Sequence, residues 1–274
     1  MLKIIIMALL IFAGMVGYDT MIDKPVPTAP DQKQEEKINR HEKSAVMAIF
    51  TSLLPPRETW PSPVQKFYLA FNMETIIDPI RQNPQWTPLK SMSQDIPRAL
   101  IAIEDHDFYN HGAIAVDGVL RALLVNLSAG EVVQGGSTIT QQFIKNVFLT
   151  HEQSMERKIE EAVLSLMLED NYTKDEILEL YLNTTYFGAG ANGINQAAKT
   201  YFGKAPSALT LAEAAVIASL PYAPSALNPL ENPQQCKQRQ QLVLAAMHKY
   251  GMINQSQLAE AKAERIRLAN GTRI

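Results

Sequence analysis

Cysteine occurs once in 274 residues, at Cys236, so no internal disulfide framework is possible, and no Cys/His spacing matches a zinc site. Nor is there an excess of positive charge: 25 Lys+Arg face 28 Asp+Glu, for a formal charge of −3. A nucleic-acid binder normally carries a basic stripe that neutralises phosphates, so nucleic acid is not an expected partner. Charged residues are sparse at 19%, while the 46% apolar share is ordinary for a folded domain. Internal repeats and low-complexity tracts are missing as well. Disordered, collagenous and disulfide-stapled classes are thereby excluded. What is left is a chain long enough to bury a full core as one large domain or two small ones.

Fifteen of the first eighteen residues are apolar. The run Ile4–Val16 with its flanks Lys3 and Tyr18 approaches the roughly 17 residues that suffice to span a bilayer when the ends snorkel. A cleaved signal peptide has an apolar region of similar length, but Gly14-Met15-Val16-Gly17 is a poor small-x-small cleavage site. Residues 1–18 are therefore expected to be an uncleaved single-pass anchor in the cytoplasmic (inner) membrane. Lys3 on the short side puts the body on the extracytoplasmic side. Pro25, Pro27, Pro30 and the charged stretch to Lys43 read as a linker over 19–43. Ser44–Leu54 is apolar but too short to span, so it is expected to be a core or surface-docking helix opening a body over 44–274.

Beyond about residue 95 the apolar spacing is helical. Met155, Ile159, Val163, Leu166 and Met167 form one apolar face, and Ile177, Leu178, Tyr181 and Leu182 another. Thr210-Leu-Ala-Glu213 reads as a capping box, and Gly251 as the stop of a helix through Leu242, Val243, Ala246, Met247 and Tyr250. Strand signals are confined to short pieces before residue 95. The expected fold class is mainly α.

Three stretches could carry chemistry. Glu104-Asp105 leaves an apolar segment, with Phe108, His111 and Asp117 close behind. Gly135-Gly136-Ser137-Thr138 permits a tight turn into a capped helix, whose free amides would suit an anion, with Lys145 on the face of Gln141. Arg157 and Glu161 are four apart on a helix, which is either a surface ion pair or part of a site shared with Glu104. Two carboxylates with cations between them suit transfer of a sugar from a phosphate leaving group: one acid removes a hydroxyl proton, and the cations stabilise departing charge.

Five motifs in order now resemble the bacterial peptidoglycan glycosyltransferases of family 51, the transglycosylase domain of class A penicillin-binding proteins, from about Trp86 to about Met252. They are Glu104-Asp105-x-x-Phe108-x-x-His111, Gly136-Ser-Thr-x-Thr-Gln-Gln142, Arg157-Lys158-x-x-Glu161, Lys174 through Glu179-x-Tyr181-Leu182-Asn183, and Arg239 with Val243-Leu244. The resemblance implies a lysozyme-like helical domain with a membrane-facing subdomain, acting on lipid II and a growing glycan strand at the membrane. By position Glu104 would be the general base, and Glu161 would assist pyrophosphate departure, directly or through a divalent cation (Mg²⁺ or Mn²⁺). Ser137, Thr138, Gln141, Gln142, Lys145, Asn146, Arg157, Lys158 and Arg239 would bind substrate, whereas Asp105, Phe108, His111, Glu179 and Asn183 would hold the cleft. Ala113 and Ala115 stand where the family has Gly and Asp, and Gln153, Glu160 and Gln240 where it commonly has cations. Fewer cations are expected to weaken pyrophosphate binding.

No Ser-x-x-Lys or Lys-Thr-Gly occurs, so the transpeptidase machinery of some relatives is missing and the expected enzyme is monofunctional. Other wall-building proteins are further expected partners. Two other classes stay open: a non-catalytic lipid II-binding relative and a glycan-cleaving enzyme. Deleting residues 1–18 should move the protein from the membrane to the soluble fraction. A mature N-terminus near Tyr18 would instead mark a cleaved signal.

Overall fold

A computed structural model describes residues 72–115, 136–149 and 154–274. The apolar tail, the linker, the 44–54 segment, Asp117 and Gln153 lie outside the described residues. The chain divides into two compact units, 1–76 and 77–274, and of the first only 72–76 are described. The described residues form nine α-helices: α1 (Glu74–Arg81), α2 (Asp95–Glu104), α3 (Ile139–Val147), α4 (Met155–Asn171), α5 (Lys174–Thr184), α6 (Ile194–Phe202), α7 (Leu211–Ser219), α8 (Pro233–Lys249) and α9 (Gln255–Ala263). Strand pairing among them is limited to the isolated bridges Tyr186–Asn192 and Arg267–Arg273. The expectation of a mainly α chain holds, whereas the short strands expected before residue 95 are not found among the described residues. Ile76, Ile77 and Ile80 recur at helical spacing behind Glu74, and that periodicity overrides their β-branching in α1.

At the centre of the second unit is α7, buried from Ala212 to Ser219 and packed against α2 and α8. A helix apolar on every side belongs in a core, and alanines at 212, 214, 215 and 218 let its neighbours approach closely. The capping box read from sequence is present: Thr210 Oγ1 accepts from Glu213 N at 3.2 Å, and Glu213 Oε2 accepts from Thr210 N at 3.0 Å. Lys204 Nζ lies 2.7 Å from Glu213 Oε1 and neutralises this otherwise costly buried carboxylate. Against α7, α2 buries Ile96, Ala99, Leu100, Ile101 and Ala102, and its last residue is Glu104. Helix α8 ends at Lys249 with Tyr250 as its C-cap, beyond which Gly251 takes the left-handed conformation (φ +71°) expected of a helix stop.

Helix α5 buries Ile177, Leu178, Tyr181 and Leu182 as its spacing predicts. Its outer face clamps the segment before α2. Asn183 Oδ1 accepts from Thr87 N at 2.8 Å while Nδ2 donates to Thr87 O at 2.9 Å. Glu179 accepts from Trp86 Nε1 (3.1 Å) and Leu89 N (2.7 Å).

Helix α4 departs from its expected orientation. Ile159, Val163 and Leu166 are 63%, 49% and 55% exposed, and the buried face is Glu161, Ser165 and Leu168. The apolar stripe faces outward because this helix turns a carboxylate toward the rest of the domain.

Gly193 enters α6 at φ +83°, ψ 159°, where a Cβ would lie 2.5 Å from the carbonyl oxygen of Asn183. Only glycine adopts this backbone region readily. Gly193→Ala should cost about 3 kcal/mol or more, read as a lower denaturation midpoint.

Candidate active site

The start of α3 is the junction of the site. Thr138 caps the helix: its Oγ1 accepts from Gln141 N at 3.1 Å, and Gln141 Oε1 accepts from Thr138 N at 3.0 Å. Thr138 Oγ1 also donates to Ala113 O at 2.8 Å. Asp105, the residue after α2, accepts from Ile139 N through Oδ2 at 3.0 Å and meets His111 Nε2 through Oδ1 at 2.6 Å. The other ring nitrogen of His111 lies 2.6 Å from Gly112 O. A carboxylate at a helix N-terminus is favoured by the helix dipole as well as by the amide it accepts from. Beneath this loop Phe108 is fully buried, with the Lys174 ammonium 4.5 Å from its ring centroid.

These contacts correct one expectation. The amides at the start of α3 were expected to cradle an anion, but those of Thr138, Ile139 and Gln141 are already taken by protein side chains. Thr138 and Gln141 are buried in the cap itself, where they shape the loop. The positive charges nearby are carried by side chains.

Those side chains surround Glu104. Gln142 Nε2 donates to Glu104 Oε2 at 2.8 Å, and the buried Tyr181 Oη donates to Gln142 Oε1 at 2.9 Å. Burial raises the Glu104 pKa above its ordinary value of 4.5, and neighbouring Asp105 adds to the rise. The Gln142 hydrogen bond and the positive charges of Arg239 and Lys145 pull the other way without cancelling it. A carboxylate raised in this way suits a general base. The Arg239 guanidinium lies over Tyr222, 4.1 Å from the ring centroid, and its buried Nε has no partner among the described residues. Lys145 and Asn146 are exposed on the same helix as Gln142.

Glu161, 2% exposed, forms the second centre. A buried carboxylate left unpaired costs several kcal/mol, so its partner matters. That partner is Lys158, which contacts Glu161 Oε1 and also donates to Ser137 Oγ at 3.2 Å. The Arg157–Glu161 pair considered from spacing is not the one formed. Arg157 has a buried Nε without a partner among the described residues, and its backbone amide donates to Ser154 Oγ at 3.1 Å. Both acidic centres therefore connect to the start of α3: Glu104 through Gln142, and Glu161 through Lys158 and Ser137.

Gln240 is another correction. Its fully buried Nε2 donates to Ala212 O at 3.0 Å, which places the side chain between α8 and α7, so no cleft cation is lost there. Ala113 is buried and serves α3 through its carbonyl, while Glu160 is half-buried on α4. Among the described residues no cluster of three or more His, Cys, Asp or Glu is placed to hold a metal ion. Glu161, the residue expected to work with a divalent cation, is occupied by the Lys158 ammonium, so this donor set does not fit a preformed metal site. Tyr181 belongs to the apolar stripe that its spacing predicts and is buried, yet its hydroxyl also serves the site. Spacing alone carries no sign of the hydrogen bond that its hydroxyl makes with Gln142.

Residues 64–248 match the family model described as Transglycosylase. The chain belongs to the transglycosylase family. A protein of Cupriavidus necator named provisionally as a transglycosylase is 45% identical over 69% of this chain and 81% of its own length. Penicillin-binding protein 1A of Aquifex aeolicus is 45% identical, and penicillin-binding protein 2D of Bacillus subtilis 46% identical, each over 64% of this chain. The chain spans about a quarter of the length of these two penicillin-binding proteins, 24% and 25%.

The raised pKa of Glu104 has a stability consequence. The fold favours the protonated carboxyl, so this contribution is present at low pH and is lost as pH rises from the ordinary carboxylate range through the raised folded value. Glu104→Gln, which cannot ionise, should therefore be more resistant to denaturant than the wild type at neutral pH. That advantage should shrink as pH is lowered below 4.5, the ordinary value.

Proposed function

We propose that this protein is a peptidoglycan glycosyltransferase that polymerises lipid II, forming β-1,4 links with inversion at the donor sugar carbon. The carrying observation is Glu104: a raised carboxylate at the end of α2, held by Gln142 and facing the positive charges of Lys145 and Arg239. Glu104 takes the proton from the acceptor 4-hydroxyl, and the freed oxygen attacks the donor anomeric carbon. The bond from that carbon to the pyrophosphate oxygen breaks, and its electron pair leaves on undecaprenyl pyrophosphate. Lys158, Arg157 and Lys145 meet the departing charge, with Glu161 holding Lys158 in place. Mg²⁺ or Mn²⁺ would come with the substrate pyrophosphate, since the described residues form no cluster of their own to bind it.

The lysozyme-like helical domain belongs to this same reading. So does an inner-membrane location with the catalytic body on the extracytoplasmic side. No helix among the described residues is long and apolar enough to cross a membrane. The apolar run in residues 1–18 is the anchor in this proposal. The exposed stripe Ile159, Val163 and Leu166 supports work beside lipid. A monofunctional enzyme, as expected from the sequence, is part of the same proposal.

Labelled lipid II incubated with the purified full chain and Mg²⁺ or Mn²⁺ should yield glycan polymer, and a chelator should lower the yield. Glu104→Gln should lower turnover by about a hundredfold or more. Lipid II binding without turnover would favour the non-catalytic relative instead. Release of soluble fragments from purified sacculi would favour the glycan-cleaving enzyme.

A further inference from the structure

Gln142 joins two residues of opposite character. On one side an ionised Glu104 can only accept hydrogen bonds, so it requires the amide nitrogen of Gln142. The carbonyl oxygen is left for the proton of Tyr181. Gln142 is only half-buried, on a helix face that also carries exposed Lys145 and Asn146. Without a second contact its amide would be free to turn toward solvent. Tyr181 lies in the core stripe of α5 and is essentially fully buried. A buried phenol needs a hydrogen-bond partner, and here its proton goes to Gln142. Donation into the amide oxygen also polarises the amide, which strengthens its N–H toward the carboxylate.

We propose that Tyr181 is a positioning residue for the base, acting through Gln142 to keep Glu104 supplied with a hydrogen-bond donor. This assignment rests on the reading of Glu104 as the base. The groups around that carboxyl are Gln142 and Lys145 from α3, Arg239 from α8, Tyr181 from α5 and Asp105 beside it. Glu213, the acidic residue of the packed helix α7, is bound to Lys204. Among the described residues, of the groups that favour the ionised form of Glu104 only Gln142 touches it by a hydrogen bond, and it is this contact that Tyr181 controls. Loss of the phenol weakens the donor, raises the proton affinity of Glu104 further and leaves less of the free base at a given pH.

The test measures kcat and KM against pH with lipid II. Tyr181→Phe should move the acid limb of kcat upward by about one pH unit and lower kcat about tenfold below that limb. KM should change less than about twofold, because Tyr181 reaches substrate only through others. Gln142→Met should shift the limb in the same direction. The double variant should show no further shift, as expected for two residues acting in one chain. A Tyr181→Phe profile that superimposes on the wild type, or shifts that add in the double variant, would overturn the proposal. If thermal melts show that Tyr181→Phe does not fold, Gln142→Met decides alone, and an unmoved acid limb overturns the proposal. Full turnover in Glu104→Gln would remove the base reading and this proposal with it. Loss of turnover there with an unmoved Tyr181→Phe limb removes only the proposal.

Discussion

Everything in the cleft depends on how the first turn of α3 is tied down. Asp105 hands its carboxylate to the amide of Ile139, and the side chains of Thr138 and Gln141 close on each other's backbone. This sets where α2 ends relative to where α3 begins, and so the reach of Gln142 to Glu104. The same turn presents Ser137 to Lys158 and so links the α4 carboxylate to the same frame. Short, charge-assisted contacts of this kind are directional, and a small movement of the turn would displace both acidic residues together.

The two acidic residues are treated in opposite ways. Glu161 is buried and directly paired with an ammonium. Glu104 has a neutral amide as its hydrogen-bond donor, with the cations further off, so burial outweighs attraction and its proton is held more tightly than usual. The same frame thus carries one compensated carboxylate and one left partly uncompensated. Uncompensated charge in a fold is a cost to stability that a site of reaction can use.

The helices and their caps were largely legible in the sequence. Thr210 with Glu213, Gly251, and the stripe from Ile177 to Leu182 work locally, through contacts one turn apart, and appear as read. What could not be read were the choices made across space. Arg157 and Lys158 both lie on α4 near Glu161, and spacing alone does not decide which of them neutralises it. Glycine and hydroxyl residues before α3 suggested free amides, because the side chains that occupy them come partly from residue 105, more than thirty positions earlier. The stripe on α4 had the right period and the wrong neighbour, since periodicity gives a face but not what the face meets. Gln240 looked like a missing charge in a motif and is a spacer between two helices.

The occupied amides at the α3 start have a consequence for how the cleft handles an anion. Backbone donors fixed in a helix hold a ligand at one point and let go abruptly. Under the proposed function the positive groups are side chains instead: Lys158 is fastened between Glu161 and Ser137, while Lys145 stands exposed on a long flexible stem. A charge on such a stem can follow an anion outward over several ångströms while keeping contact. On that reading the site would work less as a socket than as a sleeve, with a grip that slackens by degrees as its occupant slides away.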